Sequence, residues 1–296
     1  MIFRLLVLAC AVSMTLTAGR AGAEAIVVDG QVPPFRVWHV LKMPGETLDL
    51  KIPEGLIARV DGAVVVSSWR APDTPGNHTL VIASWRGQEM LRMSIFVLAP
   101  STGIDDGGYM EGYRIGSYPE ATPAGFIRLA QGDDDLPLSP SLTIGQFVCK
   151  QQPTHFPKFL LVTTPNVVRL EALLRALRHD GLTAARRFHV MSGFRTPYYN
   201  AAIGSAPRSR HLYGDAADIF VDVALRDGVM DDLNGDGVID KADADFLYDY
   251  AENLFAEGSG LPEGGLGPYR TTAAHGPFLH SDGRGIRARW GRGVVD

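Results

Sequence analysis

The chain has 296 residues, with 28 Lys and Arg against 33 Asp and Glu and a formal net charge of −5. This balance gives no argument for nucleic-acid binding, which usually requires a basic excess. Hydrophobic residues at 46% and charged residues at 21% argue against extensive disorder. The two cysteines, Cys10 and Cys149, exclude a disulfide-stapled fold and a Cys-rich zinc finger. Any metal site must therefore be built from histidines and carboxylates.

The first segment of the chain has the pattern of a signal peptide. Arg4 precedes the apolar run LLVLACAVSMTLTA, and Ala21-Gly22-Ala23 supplies a small-residue cleavage site. The run is shorter than the roughly 20 apolar residues of a membrane-spanning helix. We therefore expect cleavage of residues 1–23, export to the periplasm or the extracellular space, and no stable membrane span in the mature protein.

Residues 24–99 are predicted to form a small all-β, sandwich-like domain. Short runs of alternating apolar and polar residues are separated by turn signals about every ten residues, which is typical of such folds. The runs are TLDLKI, LIARV, AVVVSS, HTLVIASW and EMLRMSIFVL. The next residues, 100–119, are rich in Gly, Pro and Asp, and we expect them to form a linker.

Residues 120–296 are predicted to form a second domain of the α+β class. The segment NVVRLEALLRAL, residues 166–177, places apolar residues at helical intervals, whereas FHVMS, residues 188–192, has the pattern of a buried strand. Cys149 is expected to be a small buried thiol within this domain. The helix would pack on a small sheet.

Two segments of this domain supply candidate metal ligands. In SRHLYGDAADIFVD, Gly214-Asp215 is a hairpin signal, and pairing across it would place His211 opposite Asp218 on one sheet face. In FLHSDGRG, His280 and Asp282 would share a strand face. The set His211, Asp218 and His280 would offer three ligands and leave a fourth position open, which is typical of a catalytic zinc site.

A second metal motif lies between these segments. DLNGDGVIDKAD, residues 232–243, follows the order of the twelve-residue calcium loop, with glycine at position 6. The ligands would be oxygens, and the alternative is a solvated acidic turn. The predicted calcium ligands are Asp232, Asn234, Asp236, the Val238 carbonyl, Asp240 and Asp243. We expect a structural calcium ion, with a helix in the following segment ADFLYDYAENLF.

Three motifs in this order, SGFRTP with YN, SRHLYGDAADI, and GGLGPY with FLHSDGR and ARW, resemble the zinc D-Ala-D-Ala peptidases. These belong to the lysostaphin, D-Ala-D-Ala and hedgehog group of metallopeptidases, and the similarity is closest to the murein endopeptidase branch. It covers about residues 110–296. The resemblance implies an α+β zinc domain of that fold, a catalytic zinc ion, and peptidoglycan stem peptides as the partner; it says nothing of the oligomeric state.

The resemblance also implies roles for individual residues. His211, Asp218 and His280 match the zinc ligands, and Arg195 matches an arginine that holds the substrate or its developing oxyanion. The glutamate base that some relatives place three residues before the last ligand is replaced by Pro277.

Two other residues are candidates for the base. His275 is favoured; Asp282 is the alternative, and it could instead orient a ligand imidazole. The resemblance thus implies hydrolysis of stem peptides or their cross-links, by carboxypeptidase or endopeptidase action. A non-catalytic wall-binding protein with zinc and calcium on the same scaffold is the alternative.

Overall fold

The computed structural model describes residues 25–293, so the predicted signal peptide lies outside the described residues. Strands dominate this part of the chain. They are β1 Val27–Val28, β2 Val37–Lys42, β3 Thr47–Lys51, β4 Leu56–Val60, β5 Ala63–Val65, β6 Ser68–Arg70, β7 Gly76–Ser84, β8 Glu89–Val97, β9 Ala99–Pro100, β10 Tyr109–Met110, β11 Tyr113–Arg114, β12 Gly125–Leu129, β13 Lys158–Leu160, β14 His189–Ser192, β15 Ala216–Phe220, β16 Gly265–Tyr269, β17 Phe278–Asp282 and β18 Ala288–Arg289.

The described residues also form three α-helices and three short 3-10 turns. The helices are α1 Thr164–His179, α2 Pro197–Ala202 and α3 Lys241–Leu254, and the turns are Ser101–Gly103, Ile144–Phe147 and Arg210–Tyr213. This mixed content is compatible with the predicted α+β class. Within residues 25–293, no helix combines the length and the apolar character needed to cross a membrane.

The strands before residue 98 form two sheets. One has the order β2-β8-β7-β4-β5 and is antiparallel except for the β2–β8 pair, and the other has the order β1-β3-β6. In β3, Leu48 and Leu50 are buried while the residues between and beside them are exposed. Such alternation is what a strand with one face on a core requires. The runs predicted as strands therefore form strands, and the apolar faces of both sheets enter one core.

Residues 99–160 connect these sheets to the rest of the chain. Strands β9, β12 and β13 form a small sheet, and β10 pairs with β11. Tyr113 and Ile115, in the segment predicted as a linker, are fully buried. Two hydrogen bonds join strands β2 and β8 to this segment. His39 Nδ1 donates to the Leu138 carbonyl at 2.8 Å, and the Ser94 hydroxyl donates to the carbonyl of a neighbouring residue. The domain limits at residues 99 and 119 stay a prediction.

A second five-stranded sheet carries the candidate site. Its order is β14-β15-β17-β16-β18, with β16 and β18 parallel and all other neighbours antiparallel. Helix α1 packs on one face, where the Asn166 amide donates to the Ser281 carbonyl and the Ser281 hydroxyl donates to the Asn166 oxygen. Since side chains alternate along a strand, His280 and Asp282 point to the opposite face.

The helices and one strand can be compared with the sequence pattern. Helix α1 contains the predicted segment 166–177, and α3 contains the helix predicted after the acidic loop. Helix α3 begins where Asp240 accepts a hydrogen bond from the Ala242 amide, an N-cap that its sequence favours. Strand β14 differs from expectation: it forms the edge of its sheet and is half-exposed rather than buried. Cys149 is buried, as predicted.

Candidate metal centre

His211, Asp218 and His280 converge on one point. Each offers one ligand atom, and the three atoms lie within 4.8 Å of one another. His211 Nε2 is 3.2 Å and His280 Nδ1 is 2.9 Å from the same Asp218 oxygen, Oδ1. Ligands on a tetrahedral zinc ion at about 2.1 Å lie about 3.4 Å apart. Two imidazole nitrogens and one carboxylate oxygen at this spacing fit zinc in both chemistry and geometry.

The backbone brings these residues together in a different way from the predicted hairpin. Asp218 lies on β15 opposite His280 on β17 and opposite Ser192 on β14. The hairpin that would place His211 opposite Asp218 is wrong, because His211 lies in the 3-10 turn Arg210–Tyr213 before β15. Gly214 ends this turn with φ +71°, and a Cβ there would lie 2.4 Å from the Leu161 carbonyl carbon. Only glycine fits this close approach. The turn that it ends carries His211 into the site.

Each imidazole is oriented by a hydrogen bond on the side away from Asp218. His211 Nδ1 donates to the Gly193 carbonyl at 2.6 Å, and His280 Nε2 lies 3.2 Å from Asp282 Oδ2. These partners leave His211 Nε2 and His280 Nδ1 facing the shared carboxylate. Such partners fix the tautomer and the ring direction of a metal-binding histidine.

Both carboxylate oxygens of Asp282 are engaged by hydrogen-bond partners. It is buried, and its carboxylate accepts hydrogen bonds from the Gly265 amide at 2.9 Å and from Arg284 at 2.8 and 2.6 Å, besides its contact with His280. Burial alone would raise the pKa of Asp282, but these partners hold it well below the ordinary value. A carboxylate with both oxygens engaged and a low pKa is a poor proton acceptor.

Arg195 contacts the metal-facing carboxylate from the other side. Its guanidinium forms an ion pair with Asp218 Oδ2 and donates to the hydroxyls of Ser192 at 2.7 Å and Ser205 at 3.2 Å. The arginine is therefore neither a surface salt bridge nor remote from the site. It leaves Asp218 Oδ1 directed toward the two histidines.

The three converging residues perturb one another's protonation. Burial would raise the pKa of Asp218, but the adjacent His211 and His280 hold it well below its usual range. Burial lowers the pKa of His211. Burial would also lower the pKa of His280, yet hydrogen bonds to Asp218 and Asp282 raise it to about 9. A metal ion would therefore compete with a proton on His280, which predicts that the affinity of this site depends on pH.

The group lies in the wall of an open cleft of about 600 Å³. His275 lines the same cleft, and its ring meets Phe278 edge-on with the centroids 4.9 Å apart. The structure therefore brings together all three predicted zinc ligands, Arg195 and His275 around one cavity. Asp282 lies behind His280 and does not line the cleft.

Sequence reasoning missed several residues of the cleft. Trp290 packs 5.3 Å from the His280 ring and donates to the Tyr269 hydroxyl at 2.9 Å. Lys150 and Arg284 line the cavity as well. The only signal for Tyr269 and Trp290 was their presence in the GPY and ARW motifs, which by themselves carry no chemistry. Lys150 had no signal at all.

The acidic loop is ordered by its own backbone. Asp232 accepts hydrogen bonds from the Gly235 and Gly237 amides at 2.7 and 2.8 Å. Asp243 is fully buried, and its two oxygens accept from the Leu233 amide at 2.7 Å and the Asp240 amide at 2.9 Å. Within the described part of the chain, His211, Asp218 and His280 are the one group of three or more His, Cys, Asp or Glu side chains whose ligand atoms converge within 4.8 Å. The calcium site therefore stays a prediction.

A comparison with protein families bears on the class of protein. A family model described as Peptidase M15 matches residues 150–230. The matched segment contains Arg195, His211 and Asp218 and ends before His280. No curated protein matches the chain. The match supports a peptidase of the M15 family, a zinc-dependent class, and the His-Asp-His group supplies the ligands such an enzyme requires.

Proposed function

We propose that the chain is an exported zinc metallopeptidase that hydrolyses amide bonds in peptidoglycan stem peptides or their cross-links. The observation that carries this proposal is the convergence of His211, Asp218 and His280 within 4.8 Å in the wall of an open cleft. The family match adds the peptidase class. Export rests on the signal-peptide pattern of residues 1–23.

His211 Nε2, Asp218 Oδ1 and His280 Nδ1 would hold the ion. When bound, zinc would supply a Lewis acid that polarises the scissile carbonyl and lowers the pKa of a water toward about 7. The protein prepares the site through the Gly193 carbonyl and Asp282, which fix the two rings before any ion arrives. Arg195 neutralises part of the Asp218 charge and lines the cleft, where it could stabilise negative charge on a substrate carbonyl oxygen.

His275 is the proposed general base. Its imidazole lines the cleft, and the only hydrogen bond that its Nδ1 makes within residues 25–293 is to the neighbouring Gly276 carbonyl at 2.8 Å. With Nδ1–H donating there, Nε2 is left as the proton acceptor. Asp282 is less suited to this role, because its oxygens are engaged by Arg284, Gly265 and His280.

The test is digestion of purified peptidoglycan, with the products identified by mass spectrometry. The protein should release peptide fragments, a chelator should stop the release, and zinc should restore it. His211→Ala and His280→Ala should each lose stoichiometric zinc and hydrolysis, since two ligands hold the ion poorly. His179→Ala is the matched control, because this histidine lies exposed at the end of α1. Full activity in a variant without zinc would refute the proposal. The masses also show which bond is cut.

One observation favours a second function, a non-catalytic wall-binding protein that keeps the zinc site. Pro277 stands where some relatives have a glutamate base, and proline has no group that accepts a proton. In this case the zinc-loaded protein would bind sacculi in a pull-down without releasing any fragment. Release of fragments that a chelator stops would instead support the peptidase over the binding protein.

We also propose that residues 232–243 hold a structural calcium ion. The support is the ligand order of the loop, together with the turn that Asp232 and Asp236 already form through backbone hydrogen bonds. Binding would require Asp243 to exchange its hydrogen bonds with the Leu233 and Asp240 amides for the ion. A rise in melting temperature with calcium concentration tests this.

A further inference from the structure

The cleft around His211, Asp218 and His280 has two chemically different sides. The sheet order places β14 at one edge and β16 and β18 at the other, with the ligand-bearing strands β15 and β17 between β14 and β16. Residues from the β16–β18 side are aromatic: Tyr269 stacks on Phe278 with the centroids 4.6 Å apart, and Trp290 packs against His280. The β14 side contributes Ser192 and Arg195, whereas the Arg284 guanidinium lies over the Trp290 ring at 5.4 Å.

Basic side chains outnumber acidic ones in the lining of the cleft. Its lining contains five basic side chains, Lys150, Arg195, Arg208, Arg210 and Arg284, whereas Asp218 is its one carboxylate lining residue. Carboxylates outside the lining offset part of this charge, so the charge that a ligand meets depends on which of the five cations has no such partner.

Four of these five cations already have a carboxylate partner. Arg195 pairs with Asp218, Arg210 with Asp215 and Arg284 with Asp282. Arg208 lies 3.2 Å from the exposed Glu120. Lys150 differs, because it has no carboxylate partner among residues 25–293. Its ammonium is the cation of the cleft whose charge is free to meet a ligand.

The backbone before Lys150 lies against the end of β14. The residues before it pack against the end of β14: the Phe194 amide donates to the Phe147 carbonyl at 2.9 Å, and a Cβ on Gly193 would lie 2.5 Å from the Phe147 Cα. The strand and the turn before Lys150 are therefore in direct contact. Lys150, which is exposed, lines the cleft next to this segment, on the β14 side.

We propose that Lys150 binds a free carboxylate of the substrate and sets the direction in which the peptide lies across the cleft. The anionic part would lie on the β14 side, and the less polar part would lie against Tyr269, Phe278 and Trp290. This inference rests on the proposed function and names a specificity-determining residue for it. An ammonium–carboxylate hydrogen bond in a solvent-accessible cleft is worth about a tenfold gain in affinity.

The test uses a panel of synthetic stem peptides in which each free carboxylate is amidated in turn. Dissociation constants are measured by calorimetry on the full chain with chelator, where no cleavage occurs, and kcat/KM is measured on the zinc-loaded chain. One amidation should weaken binding by about tenfold in the unmodified protein, and the same amidation should have no effect in Lys150→Gln. Lys241→Gln is the matched control, since Lys241 lies on α3 and pairs with Asp245.

The outcomes separate this inference from the proposed function. If no amidation shows a loss that Lys150→Gln removes, the role of Lys150 is refuted even when hydrolysis is normal. If one amidation weakens binding and Lys150→Gln removes this effect, the inference holds whether or not the zinc-loaded chain cleaves the peptides. Absence of cleavage would then count against the peptidase proposal alone.

Discussion

Acidification should destabilise the fold through His39, which lies on β2 far from the cleft in sequence. Its side chain is buried, and its Nδ1–H donates to the Leu138 carbonyl at 2.8 Å. Burial lowers the pKa of His39 from 6.5 to about 4, although its backbone hydrogen bond opposes the shift. The folded protein therefore holds this imidazole neutral at pH values where an unfolded chain would protonate it.

The sign and size of the effect follow from these two pKa values. Between about pH 6.5 and pH 4 the unfolded chain binds one more proton at His39 than the folded chain, so the free energy of unfolding falls as the pH falls. The stabilisation is fully present above about pH 6.5 and is lost on descent to pH 4. At about 1.36 kcal/mol for each pKa unit, the whole loss is about 3 kcal/mol, of which about 2 kcal/mol has occurred at pH 5.

Urea unfolding at a series of pH values measures this loss. The unmodified protein, His39→Gln and the exposed-site control His179→Gln are compared in the presence of a chelator, so that zinc release does not contribute. The curve for His39→Gln should be flatter by the amounts above, while the His179→Gln curve follows the unmodified protein. An NMR titration of the His39 ring gives its folded pKa directly. Equal pH slopes for all three proteins, or a folded pKa near 6.5, would refute the reasoning.

Three further predictions concern the metal sites. Gly214→Ala should lower the free energy of unfolding by more than about 1 kcal/mol and reduce zinc content, because the new Cβ would meet a carbonyl carbon at 2.4 Å. The control Gly228→Ala, at a glycine with positive φ but open space around it, should keep its zinc. In metal competition assays, Asp282→Asn should weaken zinc binding by about 10- to 100-fold. In turnover assays, His275→Ala should lower turnover by about 10²- to 10⁴-fold with zinc retained. A larger loss of turnover in Asp282→Asn than in His275→Ala, at matched zinc content, would make Asp282 the base. In melting curves at graded calcium with zinc restored, Asp236→Ala should lose the calcium-dependent rise in melting temperature; a midpoint that never moves in the unmodified protein would leave the loop an acidic turn.

The local patterns predicted elements better than they predicted pairing. The alternation in β3 and the apolar spacing in α1 are properties of a few neighbouring residues, and both elements form as the sequence indicates. The turn at Gly214 shows the limit. A Gly-Asp pair between apolar residues favours a hairpin, yet the glycine ends a 3-10 turn, and Leu161 packs so closely against it that no side chain fits. That contact comes from a distant part of the chain and leaves no local signal.

The charges of the site also depended on distant partners. Nothing near Asp282 in sequence shows that the Gly265 amide would occupy one of its oxygens, and this contact counts against Asp282 as a base. The sequence favoured His275 over Asp282 only slightly, and the fold places His275 in the cleft and Asp282 behind His280. The free charge of Lys150 became visible only when every other cation of the cleft was found with a carboxylate.

By itself, the sequence determined the residue types of the metal site and the elements that carry it. Two cysteines left only His and carboxylate ligands, and the alternation in FLHSD placed His280 and Asp282 on one strand face. The tertiary structure decided which residues meet: Asp218 pairs with His280 across β15 and β17, His211 approaches from a separate turn, and Arg195 lies against Asp218. The physical reason is that periodicity depends on adjacent residues, whereas strand order and register depend on the packing of the whole core.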